Sequence, residues 1–198
     1  MLHGDKQLDA ADEAVSRAID LLPEEGEQFL VCDGHRILGN ISRSKGNTKK
    51  AIHHFEVALG IASSFNWHDV LFWIHYALAQ LFLREGRFDD VQTRIERTKS
   101  HAVDNPYYLG RAMELQARIW YKRRMFEEAK SEALRALDVF EKLGAANDAE
   151  LSGVFLRDID RNVRGDGLGS KESDDDGEPP NRCFLPLCIE SSCSAASE

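Results

Sequence analysis

Apolar positions return along this chain in a fixed rhythm. In the stretches 9–19, 46–59, 86–99 and 125–137, small or aliphatic residues fall at matching places. The sets are Ala11, Val15 and Ala18; Ala51, Phe55 and Ala58; Val91, Ile95 and Thr98; and Ala129, Ala133 and Ala136. Within each set the offsets are zero, four and seven, which place three side chains on one face of an α-helix. The first members stand at 11, 51, 91 and 129, so the repeat measures 40, 40 and then 38 residues. The pattern predicts four helices, termed B, near 8–22, 48–63, 88–101 and 126–143.

The stretch before each later B helix is also helical by pattern. It predicts three A helices near 27–44, 67–84 and 107–123. Each carries a small residue behind a larger one: Leu38 and Gly39, Leu78 and Ala79, Gln116 and Ala117. A neighbouring helix can approach closely there, because no bulky side chain props it away. Gly46 and Gly86 stand where A helices should end, since glycine accepts the left-handed conformation of a helix terminus. Arg124 occupies the equivalent place in the last pair and makes that turn an exception. Pro23 follows the first B helix and Pro106 opens the last A helix, both permitted places for proline. A further amphipathic helix is expected over 149–163 from Leu151, Val154, Phe155 and Ile159. It either caps the stack or is the A helix of an uncompleted unit.

The order Leu38, Gly39, Gly46, Ala51, Phe55, Ala58 resembles the tetratricopeptide repeat signature of small and large residues at fixed offsets. Leu78, Ala79, Gly86, Phe88, Val91, Ile95 repeats it, and the last unit departs at Gln116 and Arg124. The resemblance implies an all-α fold over 1–164, a right-handed superhelix of antiparallel helix pairs forming an α-solenoid. The standard unit of that family has about 34 residues. A period near 40 is similar to the longer variant in the C-terminal arrays of fungal and bacterial signalling ATPases with a NACHT or NB-ARC module. The strings around 60–83 and 96–121 resemble the fungal members most. No such ATPase module accompanies them here, so the resemblance implies a stand-alone array or a fragment. The first recognisable helix is a B helix without an A partner, and its apolar face is expected to be half uncovered.

Composition narrows the function. The formal net charge is −9, and 42% of residues are hydrophobic. Beyond residue 164, eight acidic residues face only Lys171 and Arg182, so that segment carries −6 and the body only −3. A phosphate backbone calls for clustered Lys and Arg on a basic surface, so nucleic acid is not expected as a partner. No apolar run approaches the roughly 20 residues that span a bilayer, and the start lacks the apolar stretch of a signal peptide. A cytosolic protein with reduced thiols is expected. Cys32 lies alone in the body, and Cys183, Cys188 and Cys193 in the tail make no disulfide framework. From 165 to 180 Gly, Ser, Asp and Pro dominate, so 165–198 reads as a disordered acidic tail.

The resemblance also implies a partner site, because A helices line the concave surface of such arrays. The groove positions map to Asp33, Arg36, Asn40 and Arg43; to Trp73, Tyr76, Gln80 and Arg84; and to Arg111, Glu114, Arg118, Tyr121 and Lys122. Six basic residues face two acidic ones there, with three aromatics between them. Guanidinium groups bind carboxylates in a forked geometry, and aromatics supply contact area at low entropic cost. The expected ligand is a protein or peptide segment, an acidic or C-terminal one. Arg36 and Asn40 match half of the carboxylate clamp of chaperone co-factors, but Ala77 and Leu115 replace its other members.

Other candidates carry less. His53 and His54 are adjacent, so on a helix they diverge by about 100° and share no metal. His68 and His75 read as packing or capping residues. GDGLGSK at 165–171 lacks the GxxxxGK[ST] spacing and the preceding strand of a phosphate loop. Asn40-Ile41-Ser42 fits a glycosylation sequon but falls inside a helix. No Ser/His/Asp, Cys/His or paired-carboxylate set stands out. The expectation is a protein without enzymatic activity, cofactor or metal.

Overall fold

The computed structural model describes residues 2–22 and 27–164. Eight helices follow one another: α1 (Leu2–Asp20), α2 (Gln28–Ser44), α3 (Thr48–Ser64), α4 (His68–Arg84), α5 (Phe88–Ser100), α6 (Pro106–Lys122), α7 (Phe126–Lys142) and α8 (Ala146–Val163). Among the described residues the fold is an all-α helical-repeat solenoid, in which each helix packs on the next in sequence. The expected A helices are α2, α4 and α6, and the expected B helices are α1, α3, α5 and α7. Residues 165–198, with the GDGLGSK string and three of the cysteines, and residues 23–26, with Pro23, lie outside the described residues.

The rhythm has a local cause. Five of the joints close in the same way. The N–H groups of Asn47, Trp67, Arg87, Met125 and Ala145 each reach back five residues, to the carbonyls of Ser42, Ala62, Phe82, Trp120 and Phe140, at 2.8–3.1 Å. This closure needs a left-handed residue just before the donor. Gly46, Asn66, Gly86, Arg124 and Gly144 supply it, with φ of 72°, 53°, 69°, 60° and 67°. Arg124 therefore forms the same turn as the glycines. α5 is shorter than its neighbours, at 13 residues against 17 in α3, α4, α6 and α7. A longer joint compensates only in part, which is why the last repeat measures 38. In that joint Asn105 caps α6, accepting from the N–H groups of Tyr107 and Tyr108 at 3.0 and 3.3 Å, and Pro106 takes the first helical position.

The recurring small residues make the core. Leu38, Gly39, Ala51, Phe55, Ala58, Leu78, Ala79, Val91, Ile95, Ala117, Ala129, Ala133 and Ala136 are all buried. Gly39 shows why the position must be small. A Cβ there would stand 2.7–2.9 Å from the ring of Phe55 across the α2–α3 contact. Gly110 receives Phe140 of α7 in the same manner, at 2.9 Å. Two polar residues, Thr98 and Gln116, stand at buried packing positions. Thr98 donates to the Arg94 carbonyl at 2.9 Å within its own helix. Gln116 Oε1 accepts from Lys99 Nζ of α5 at 2.9 Å, while its Nε2 is buried without a hydrogen-bond partner.

α1 differs from the expectation in two ways. It begins at Leu2 rather than near residue 8. Its face is also rotated: Ala18 is exposed, while Val15 and Ile19 pack over Gly34 of α2. α1 packs chiefly on α2. Lys45 holds it there by ion pairs to Asp9 and Asp12, both at 2.8 Å, and Lys50 of α3 also pairs with Asp12 at 3.1 Å.

Candidate protein-binding groove

Successive A helices touch one another (α2 with α4, α4 with α6), though far less than helices paired in a hairpin, and successive B helices touch still less among the described residues. The stack is therefore tighter on the A side, and the A helices form its inner wall. α8 continues that wall. Asp148 of α8 accepts from Tyr107 and Arg111 of α6, both at 3.3 Å, and Asn162 Nδ2 donates to the Tyr121 hydroxyl at 2.8 Å.

The groove positions fall into two populations. Tyr76, Arg111 and Glu114 are 3–4% exposed, and they form one polar knot. The Arg111 guanidinium donates to Glu114 Oε2 at 2.7 Å and to the Tyr76 hydroxyl at 2.9 Å. Arg118 donates to the other Glu114 oxygen at 3.0 Å and lies over the Phe155 ring of α8. Burial opposes the charge on Arg111, but Tyr76, Glu114, Tyr107 and Asp148 around it outweigh that cost and raise its pKa. Burial pushes the Tyr76 phenol up to about 12, so it stays a neutral donor and acceptor. Arg43 is also buried and donates to Gln80 at 2.8 Å, tying α2 to α4. These groups hold the inner wall together. Tyr76, Arg111, Glu114 and Arg43 are buried there, their side chains engaged with protein partners.

The second population faces outward. Asn40, Trp73, Gln80 and Tyr121 are half-buried, and Arg84 and Lys122 are exposed. Arg36 is half-buried and pairs with Asp33 of its own helix at 2.7 Å. Trp73 stands edge-on to Tyr76 and to Tyr108, with ring centroids 5.7 and 5.6 Å apart. Tyr108 in turn stacks on Phe72 at 4.3 Å. Sequence reasoning passed over Tyr107, Tyr108, Asp148 and Asn162. Tyr108 is part of the aromatic wall, and the other three join α6 to α8.

The histidines are organised across hairpins. His54 meets His35 with Nδ1 atoms 3.1 Å apart, linking α3 to α2. His68 meets His101 at the same distance, and His75 stacks on His101 with rings 7° from parallel. His75 is 7% exposed, and burial, then Arg94, His101 and Arg97, pull its pKa down to about 4. Cys32 is buried and donates to the Ala58 carbonyl at 3.3 Å, and burial raises its thiol to about 11. Among the described residues no group of three or more His, Cys, Asp or Glu side chains is arranged to hold a metal. None of their helices is long and apolar enough to cross a membrane.

Nested helix pairs with a polar and aromatic inner wall define a tetratricopeptide-like helical-repeat fold. No protein-family model matches the sequence, and no curated protein does. Solved structures similar in fold include the following two. One is BtubC (BKLC) from P. vanneervenii, with a TM-score of 0.61 and 15% identity over 86% of this chain and 80% of that one. The other is a Rap protein complexed with Competence and Sporulation Factor, with a TM-score of 0.51 and 17% identity over 82% of this chain. The match covers 49% of the Rap chain, so this chain spans about half its length. At these identities the likeness is one of fold.

Proposed function

We propose that the protein is a non-enzymatic interaction scaffold that binds an acidic segment of another protein or a peptide along the inner wall. The carrying observation is the division of the wall into a buried knot and a facing layer. The knot of Tyr76, Arg111, Glu114 and Arg118 fixes the A helices in register. It leaves Arg36, Asn40, Trp73, Gln80, Arg84, Tyr121 and Lys122 on a rigid support, which lowers the entropic cost of binding. Aromatic and arginine side chains are the ones that dominate protein interfaces. The Rap structure supports the reading, since a similar fold there is complexed with Competence and Sporulation Factor.

Affinity purification of the full chain tests it, with a groove variant set against an outer-face variant. Arg36→Ala, Trp73→Ala and Lys122→Ala together remove facing groups and leave the knot intact. Glu96→Ala and Arg135→Ala alter exposed B-helix positions. A partner retained by the outer-face variant and lost at least about tenfold from the groove variant is the expected result. Equal retention by both refutes the groove.

A second reading follows from the 40-residue period and the resemblance noted above. The array then serves as the sensor of a nucleotide-switched ATPase of the NACHT or NB-ARC type. An adjacent reading frame encoding a GxxxxGK[ST] module is its test.

A further inference from the structure

Alternate helices run parallel, so all A helices end on one rim of the wall. That rim carries Arg84, Lys122 and Arg123, then Arg157 and Arg161 of α8 and Arg164 just past its end. Most of its nearby carboxylates are engaged locally: Asp158 by Arg161 at 2.9 Å, Asp160 by Lys130 at 2.6 Å, and Asp90 and Glu85 by Arg87 at 2.8 and 3.6 Å, while Asp89 sits in the first turn of α5. Glu127 and Glu128 occupy the first turn of α7, where the helix dipole favours negative charge. The last two turns of α8 line a concavity of about 230 Å³ with Arg157, Asp160, Arg161 and Arg164. The opposite rim, where A helices begin, is mixed: Asp69, Asp104, Glu141 and Asp148 stand there with Arg97, Lys99 and Lys142.

The described chain leaves the body at Arg164, on the basic rim beside that concavity. The residues that follow are GDGLGSKESDDDGE, positions 165–178, with six acidic side chains against Lys171. The triplet Asp174, Asp175, Asp176 comes ten residues after Arg164. Ten residues reach up to about 33 Å, and neighbouring packed helices lie about 8–10 Å apart. The triplet can therefore pass α6, at Lys122 and Arg123, and reach α4, at Arg84.

We infer that segment 165–178 docks in cis along this basic rim and competes with an acidic ligand for the same edge of the groove. Each exposed ion pair contributes only about 0–1 kcal/mol. Tethering supplies the rest, because a short linker gives an effective concentration in the millimolar range. Docking itself stands on the rim and the tail. Only the competition rests on the groove reading.

The test is zero-length carbodiimide cross-linking of the full chain at low micromolar concentration, with peptide mass spectrometry of the monomer band. Lys122 should join Glu172, Glu178 or the Asp174–Asp176 triplet, and Lys99 and Lys142 on the far rim should not. The yield should fall severalfold in about 0.5 M NaCl, where the Debye length is only a few ångströms. Absent links, links to all three lysines alike, or links confined to a dimer band overturn the cis assignment. A second arm uses a labelled peptide of residues 165–180 as probe. The full chain with Asp174→Asn, Asp175→Asn and Asp176→Asn should bind it at least about fivefold more tightly than the unaltered chain. Equal affinity overturns the proposal. Tail links with no groove-dependent partner would keep this inference and end the scaffold reading, and the reverse pattern would do the opposite.

Discussion

Adding one methyl group at Gly39 isolates the packing that underlies the repeat. Gly39 and Gly60 both lie inside helices, α2 and α3, so alanine brings each the same gain in helix propensity, about 0.5–1 kcal/mol. Their surroundings differ. A Cβ at Gly60 meets nothing within 4 Å. At Gly39 it meets three atoms of the Phe55 ring at 2.7, 2.8 and 2.9 Å. Ordinary carbon contacts need about 3.5–4.0 Å, so the ring must move by nearly 1 Å. Phe55 is fully buried with Ala51 and Ala58 on its own helix, so its movement displaces the core. Overpacking of this kind costs about 1–3 kcal/mol, and the upper half of that range applies to a rigid ring held on all sides. Subtracting the propensity gain leaves Gly39→Ala less stable by about 1–2 kcal/mol, and Gly60→Ala more stable by about 0.5–1 kcal/mol. Urea unfolding followed by circular dichroism measures both against the unaltered chain. Phe55→Leu provides the control, because it opens the space that the new methyl needs. The double variant Gly39→Ala, Phe55→Leu should show favourable coupling of at least about 0.5 kcal/mol. If Gly39→Ala proves as stable as Gly60→Ala, the close nesting of α2 on α3 is wrong.

Further outcomes follow from the polar knot, the histidines and the turns. Arg111→Met leaves Glu114 buried without its main partner and should cost about 3–5 kcal/mol in urea unfolding, whereas Arg118→Ala, at a side chain 24% exposed, should cost under about 1 kcal/mol. His75 is held neutral in the fold, with a pKa near 4 against 6.5 in the open chain. Its contribution is complete above pH 6.5 and is lost as pH falls toward 4, up to about 3 kcal/mol, so the urea midpoint should drop across that window and drop less in His75→Gln. Arg124 holds φ at 60°, a conformation that costs a side chain about 1–2 kcal/mol. Arg124→Gly should raise stability by about 0.5–1 kcal/mol in the same assay, after the added freedom of the unfolded chain is counted.

The sequence carried the helices further than the site. A packing face needs its apolar residues at helical spacing, so Ala51, Phe55 and Ala58 announce a helix and its buried side together. The joints announce themselves through Gly46 and Gly86, and at Arg124 the backbone adopts the same turn despite the side chain. α1 defeated the pattern, because Val15 and Ile19 find a cleft at Gly34 and Ala18 is left exposed. The inner wall was less legible for a different reason. Arg111 and Glu114 look like any pair of charges three apart on a helix. Only their tertiary partners, Tyr76 from 35 positions earlier and Asp148 from 37 positions later, make them a buried knot. The histidine contacts join residues 19 and 33 positions apart, and no local rule brings those together.

Photo-crosslinking from single positions tests the scaffold most directly. A benzophenone side chain replaces Trp73 on the inner wall in one version of the full chain and Glu96 on the outer wall in another. Transfer to a partner protein from position 73 and not from position 96 is the predicted result. Transfer from position 96 alone would place the partner on the B helices and contradict the groove.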